Sequence, residues 1–119
     1  MIKKIFAVLA FPFLCSCEEV VFVDDISEEQ VELIAPADDV IFNTTEINFY
    51  WEEVPAVDNY KLQIATPSFS EAMEIVEDTL VTSQNYTGTL NSGNYEWRVK
   101  AVNSEYQTEF TTYSFVIVE

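Results

Sequence analysis

The side chains with the sharpest chemistry in this chain are two thiols, Cys15 and Cys17, one residue apart. A disulfide between them would be badly strained, because the bridge needs converging side chains on Cα atoms roughly 4.4–6.8 Å apart. A structural metal site needs about four ligands, and the chain has no histidine and no further thiol. Without histidine the usual nucleophile–base pairs cannot be assembled either, which argues against an enzyme. Carboxylates are plentiful, 21 in all, but an acid–base pair needs a cleft that a small domain rarely offers. The adjacent pairs Asp24-Asp25 and Asp38-Asp39 suit either of two roles. They could supply oxygens to calcium, which takes about six to eight, or they could be solvated turn residues. No cofactor is implied.

What precedes the thiols accounts for them. Met1-Ile2-Lys3-Lys4 is a short basic start, and residues 5–14 form an apolar run interrupted only by Pro12. That order of basic then apolar segments is the pattern of a secretory signal peptide. The run stops at Glu18 and Glu19, short of the roughly 20 apolar residues of a spanning helix. The plainer reading is a buried N-terminal strand or helix. The end of the run favours the first: Leu14-Cys15-Ser16-Cys17 resembles the lipobox of bacterial lipoproteins. The resemblance implies cleavage between Ser16 and Cys17 and a thioether from Cys17 to diacylglycerol. Cysteine suits that chemistry because its thiolate is a strong nucleophile. Cys15 would occupy a spacer position and leave with residues 1–16.

Charge points the same way. Lys3 and Lys4 precede Cys17 and all 21 acidic residues follow it, so a chain cut there keeps three cations and carries −18 rather than −16. Such a surface repels nucleic acid and anionic headgroups, leaving the covalent lipid as the link to a membrane. Residues 17–30 are expected to form the lipidated cysteine and an acidic tether, in which residues 20–23 are long enough to pair as an edge strand. Fully extended at about 3.3–3.6 Å per residue, the tether reaches about 45 Å. Acidic residues directly after the cysteine also resemble surface-export signals of lipoproteins in some Gram-negative phyla. That likeness implies the outer membrane, and the cell surface over the periplasmic face.

Residues 31–119 read as one domain, and its period is two. Ile47, Phe49 and Trp51 alternate with polar or exposed positions, as do Tyr60, Leu62 and Ile64, and Tyr95, Trp97, Val99 and Ala101. Each pattern predicts a half-buried strand. Pro36-Ala37-Asp38-Asp39, Val54-Pro55, Thr66-Pro67-Ser68 and Asn91-Ser92-Gly93-Asn94 are turn chemistry between them. Strands at this spacing with no convincing helix predict an all-β sandwich. Residues 71–81 are ambiguous, since Ala72, Ile75 and Val76 also suit a helix face.

These residues resemble a fibronectin type III domain, a seven-stranded immunoglobulin-like sandwich. Trp51 matches the core tryptophan of the family's second strand. Leu90 before Tyr95 and Trp97 resembles its leucine-to-tyrosine corner, where the tyrosine hydroxyl bonds back to the main chain. NYKLQIATPSF and GNYEWRVKAVNS are similar to bacterial members. The chain departs from the pattern where no proline follows Leu90, and the integrin-binding tripeptide of some animal members is absent.

A module of this kind hosts many functions. The first expectation is a non-catalytic protein-interaction or scaffold lipoprotein, an accessory subunit docking on an envelope protein. The alternative is a surface glycan-binding module with Tyr50, Phe69 or Tyr106 as stacking platforms. Lys61, Arg98 and Lys100, the three cations after Cys17, fall on outward positions of two strands that the fibronectin type III resemblance implies are neighbours, and mark a candidate binding face. The plainer reading of that face is cross-strand pairing with Glu96 or Glu74. Asp78-Thr79-Leu80 resembles a short O-glycosylation acceptor of some envelope bacteria, with Thr79 as the modified residue.

Overall fold

Alternation of apolar and polar residues carries through to the structure, a computed structural model describing residues 22–119. The exception is Ala65, expected outward but buried beside Ile64 where the pairing of its strand shifts register. Strand β3 (Glu46–Trp51) switches between exposed and buried at every residue. Strand β4 (Asn59–Thr66) buries Tyr60, Leu62 and Ile64, and β7 (Gly93–Val102) buries Tyr95, Trp97, Val99 and Ala101. Successive side chains on a strand point to opposite faces, so each of these strands presents one apolar face that needs a second layer. The layers are two sheets. One joins β1 (Leu33–Ala35), β3 and β6 (Asn85–Thr89) in the order β1-β3-β6. The other joins β2 (Val40–Phe42), β8 (Thr111–Ile117), β7, β4 and β5 (Glu74–Val81) in the order β2-β8-β7-β4-β5. All pairings are antiparallel except β2 with β8.

The sandwich is the expected one, with its first strand in two pieces. Pro36 follows β1, and Asp39 takes a positive φ of 64°, which a short polar side chain tolerates better than most. The resulting turn carries the chain to the other sheet, where β2 lies alongside β8. This split makes eight strands of the family's seven. The ambiguous residues 71–81 resolve as strand from Glu74 onward, paired along the length of β4. Ile75, Val76, Thr79 and Val81 are β-branched and suit that pleated edge.

Aromatic rings fill the space between the sheets. Phe49 meets Trp97 at 5.0 Å and Phe115 at 5.8 Å, Tyr95 stacks on Phe115 at 5.3 Å, and Trp51 lies 6.3 Å from Trp97 across the layers. Edge-on and offset contacts of this kind add to the area they bury. The corner forms without a proline, since the Tyr95 hydroxyl donates to the Asn91 carbonyl at 2.8 Å. Tyr60 pins a second connection, its hydroxyl accepting from the Val54 N–H at 3.0 Å.

The expected tether does not stay clear of the domain. Ile26 is buried in the core, and the Asn103 side-chain amide donates to the carbonyls of Asp24 at 2.9 Å and Ala56 at 3.0 Å. Packing therefore begins before residue 31. Phe22 and Val23, the described part of the apolar patch, lie outside any strand.

Candidate functional site

The outward face of the larger sheet collects the cations. Lys61 on β4 stands directly opposite Lys100 on β7, and Gln63 stands opposite Arg98. Strand β5 extends the same rows, with Leu80 opposite Lys61 and Asp78 opposite Gln63. The sharing of one face follows from strand parity, because cross-strand partners point the same way. Their environments differ sharply, however.

Arg98 is held by three neighbours. Its Nε donates to Gln63 Oε1 at 2.8 Å. Its guanidinium carbon lies 3.9 Å from the ring centre of Phe69 and 4.2 Å from that of Phe110. A planar cation between two rings is a favourable arrangement, worth about 0.5–2 kcal/mol per ring as desolvation increases. Burial pushes the guanidinium pKa down, against the opposing pull of Glu96 and Asp78, but an arginine stays charged regardless. The Phe69 main-chain N–H donates to Glu96 Oε1 at 2.9 Å, which brings the loop after β4 back over the sheet.

Lys61 and Lys100 are less committed. Lys61 Nζ lies 3.1 Å from Asp78 Oδ1, with the two side chains 35% and 47% exposed. That contact, first among its causes, holds the Asp78 carboxyl below the usual range. Lys100 Nζ sits 4.8 Å from the ring centre of Phe110. The pairing expected with Glu96 or Glu74 is thus not the one adopted: Asp78 takes Lys61, and Glu96 accepts from a main-chain amide instead. Phe110, Gln63 and Asp78 are the members of this face that sequence reasoning missed. Phe110 closes a polar loop with no periodicity to flag it.

The other expected sites fall elsewhere. Phe69 is no free stacking platform, being covered by Arg98. Tyr50 is 45% exposed on the outward face of the smaller sheet, and Tyr106 is 37% exposed on the loop after β7. The three rings therefore occupy three separate elements rather than one platform. Thr79 pairs with Leu62, so its half-buried side chain lies on the inward side of edge strand β5. Asp38 and Asp39 both accept from Ser114, at 2.8 Å to its N–H and 2.8 Å to its hydroxyl. Asp25 accepts from Ser27. Asp38 and Asp39 thus tie their turn to β8, and Asp25 serves a local turn. No cluster of three or more metal-ligating side chains occurs among the described residues. Ser16 and Cys17, with residues 1–16, lie outside the described residues.

Comparison with known proteins agrees on architecture. No protein-family model matches the chain, and no curated protein is similar to it in sequence. Among solved structures, the fibronectin(III)-like modules of CbhA from Clostridium thermocellum match with a TM-score of 0.54 and 13% identity. That match covers 74% of this chain and 95% of the other. A fibronectin type III domain from a human protein matches with a TM-score of 0.50 and 13% identity, covering 76% of this chain and 75% of the other. By structural similarity, the described residues form a single fibronectin type III-like domain.

Proposed function

We propose that the chain is a lipid-anchored protein of the bacterial envelope whose fibronectin type III-like domain is a non-catalytic docking module, an accessory subunit of a larger complex. The anchor rests on Leu14-Cys15-Ser16-Cys17 behind a basic and apolar start, with Cys17 carrying the lipid. The acidic residues after Cys17 favour the outer membrane, and its outer surface over its inner one. The observation that carries the docking reading is the outward face of the larger sheet. There Lys61, Arg98 and Lys100 share one face with Phe69 and Phe110, on a chain of net charge −16. A positive area that gathers every cation of the described residues on an acidic protein sets the orientation of an encounter and rejects wrong partners. The fold itself is a support that usually carries no catalysis, and function on such folds lies in local surfaces.

The test is purification of the lipidated protein from native membranes in mild detergent. A single envelope protein in constant stoichiometry through size exclusion is the expected result. A monomer with no such companion, in detergents that preserve other envelope complexes, would overturn the docking role.

A further inference from the structure

Two like charges directly opposed on neighbouring strands are unfavourable, because their Cβ atoms lie only about 4.5–5.5 Å apart. Lys61 and Lys100 are such a pair, and they occur in a chain with only five basic residues. The contacts within the domain offset the repulsion incompletely. The Lys61–Asp78 ion pair is substantially exposed to solvent, and exposed pairs contribute at most about 1 kcal/mol. Lys100 has a ring face beneath it, and among the described residues no carboxylate lies within ion-pair distance of it. Arg98 is different, because Gln63 and two rings already occupy it.

We propose that Lys61 and Lys100 form a seat for a carboxylate on an acidic segment of a partner protein, flanked in that segment by apolar residues. The proposal deepens the docking reading and rests on it. A carboxylate has two acceptor oxygens and can meet an ammonium with each, converting a repulsive pair into a bridged one. The row supplies apolar contacts at both ends: Leu80, 58% exposed, lies opposite Lys61, and Phe110 lies beside Lys100. Charge selects the occupant. An anionic bilayer would have to approach the acidic remainder of the surface as well, whereas a peptide segment touches only this row.

Lysine labelling gives a direct readout. The full-length chain has four lysines, of which Lys61 and Lys100 lie in the domain. With 13Cε-lysine protein, the probes are the capped peptide Ala-Leu-Glu-Phe-Ala, the same peptide with glutamine for glutamate, and phosphatidylglycerol vesicles. The expected result is a saturable shift of both domain resonances with the glutamate peptide alone. Lys61→Gln and Lys100→Gln should each weaken binding by roughly fivefold, the worth of one exposed charge contact, with no fall in the melting temperature, since each also removes the repulsion between the two lysines. Absence of a saturable shift, equal shifts with the glutamine peptide, or shifts with vesicles alone would overturn the proposal. If a companion protein captured by the wild type is equally captured by the double variant, the seat is wrong while docking stands.

Discussion

Replacing Asn103 by alanine removes a side chain that is 8% exposed and makes four hydrogen bonds. Its amide nitrogen donates to Asp24 and Ala56, and its oxygen accepts from the N–H groups of Glu105 at 3.0 Å and Tyr106 at 2.8 Å. Each bond contributes about 0.5–1.5 kcal/mol net, more where a buried group is left unpaired. The partner residues are themselves exposed, so water can replace part of what is lost. The expected cost is therefore about 2–4 kcal/mol, a large share of the roughly 5–15 kcal/mol that holds a domain. Asn103→Asp separates the two roles. It keeps the oxygen that holds the loop after β7 but loses the donor to Asp24 and Ala56, so Ile26 should undock. The assays are a denaturation midpoint, amide exchange at Glu105 and Tyr106, and cleavage at Glu28 or Glu29 by a glutamate-specific protease. Alanine should lower the midpoint and expose both amides. Aspartate should leave the amides protected while cleavage accelerates. A midpoint within about 0.5 kcal/mol of wild type for the alanine variant, the ordinary range for a surface change, with both amides still protected, would refute the reasoning.

Trp51→Ala or Trp97→Ala should each cost about 3–5 kcal/mol, since both indoles fill the space between the sheets. Phenylalanine should be tolerated better at position 51 than at 97 in thermal denaturation. The Trp97 N–H donates to the Pro36 carbonyl at 3.3 Å, whereas the buried Trp51 N–H has no acceptor among the described residues. Tyr86 has its pKa pushed up to about 12 from 10.0, by burial first and then by its hydrogen bond to Glu77. Its contribution to stability is whole below pH 10.0 and is lost as pH rises through about 12, so Tyr86→Phe should flatten that alkaline loss in a pH series of melting curves.

Strands were legible because burial on one face writes itself into the sequence as period two, and Ile47, Phe49 and Trp51 carry that imprint without exception. The tyrosine corner was legible through Tyr95 after Leu90, although the missing proline hid the turn that Asn91 completes. Contacts made across long stretches of chain left no such imprint. Ile26 sits alone among acidic residues, and nothing local shows that Asn103 secures its segment 79 residues away. Edge strand β5 was ambiguous because Glu77 and Thr79 stand between Val76 and Val81, the two valines it packs against the core, and a register shift interrupts the pairing there, so no clean apolar period marks it. The shared face of Lys61, Arg98 and Lys100 followed from strand parity together with the strand order that the fibronectin type III resemblance implies. The capture of Arg98 by Phe69 and Phe110 did not, because two loops must fold back over the sheet to make it.

The central claim, that Cys17 fixes the chain to a membrane, is tested most directly by metabolic labelling with a fatty-acid analogue in the wild type, Cys15→Ala and Cys17→Ala. Label should enter the wild type and Cys15→Ala equally, and the Cys17→Ala chain should remain unlabelled and uncut. Equal labelling of the wild type and Cys17→Ala would contradict the account.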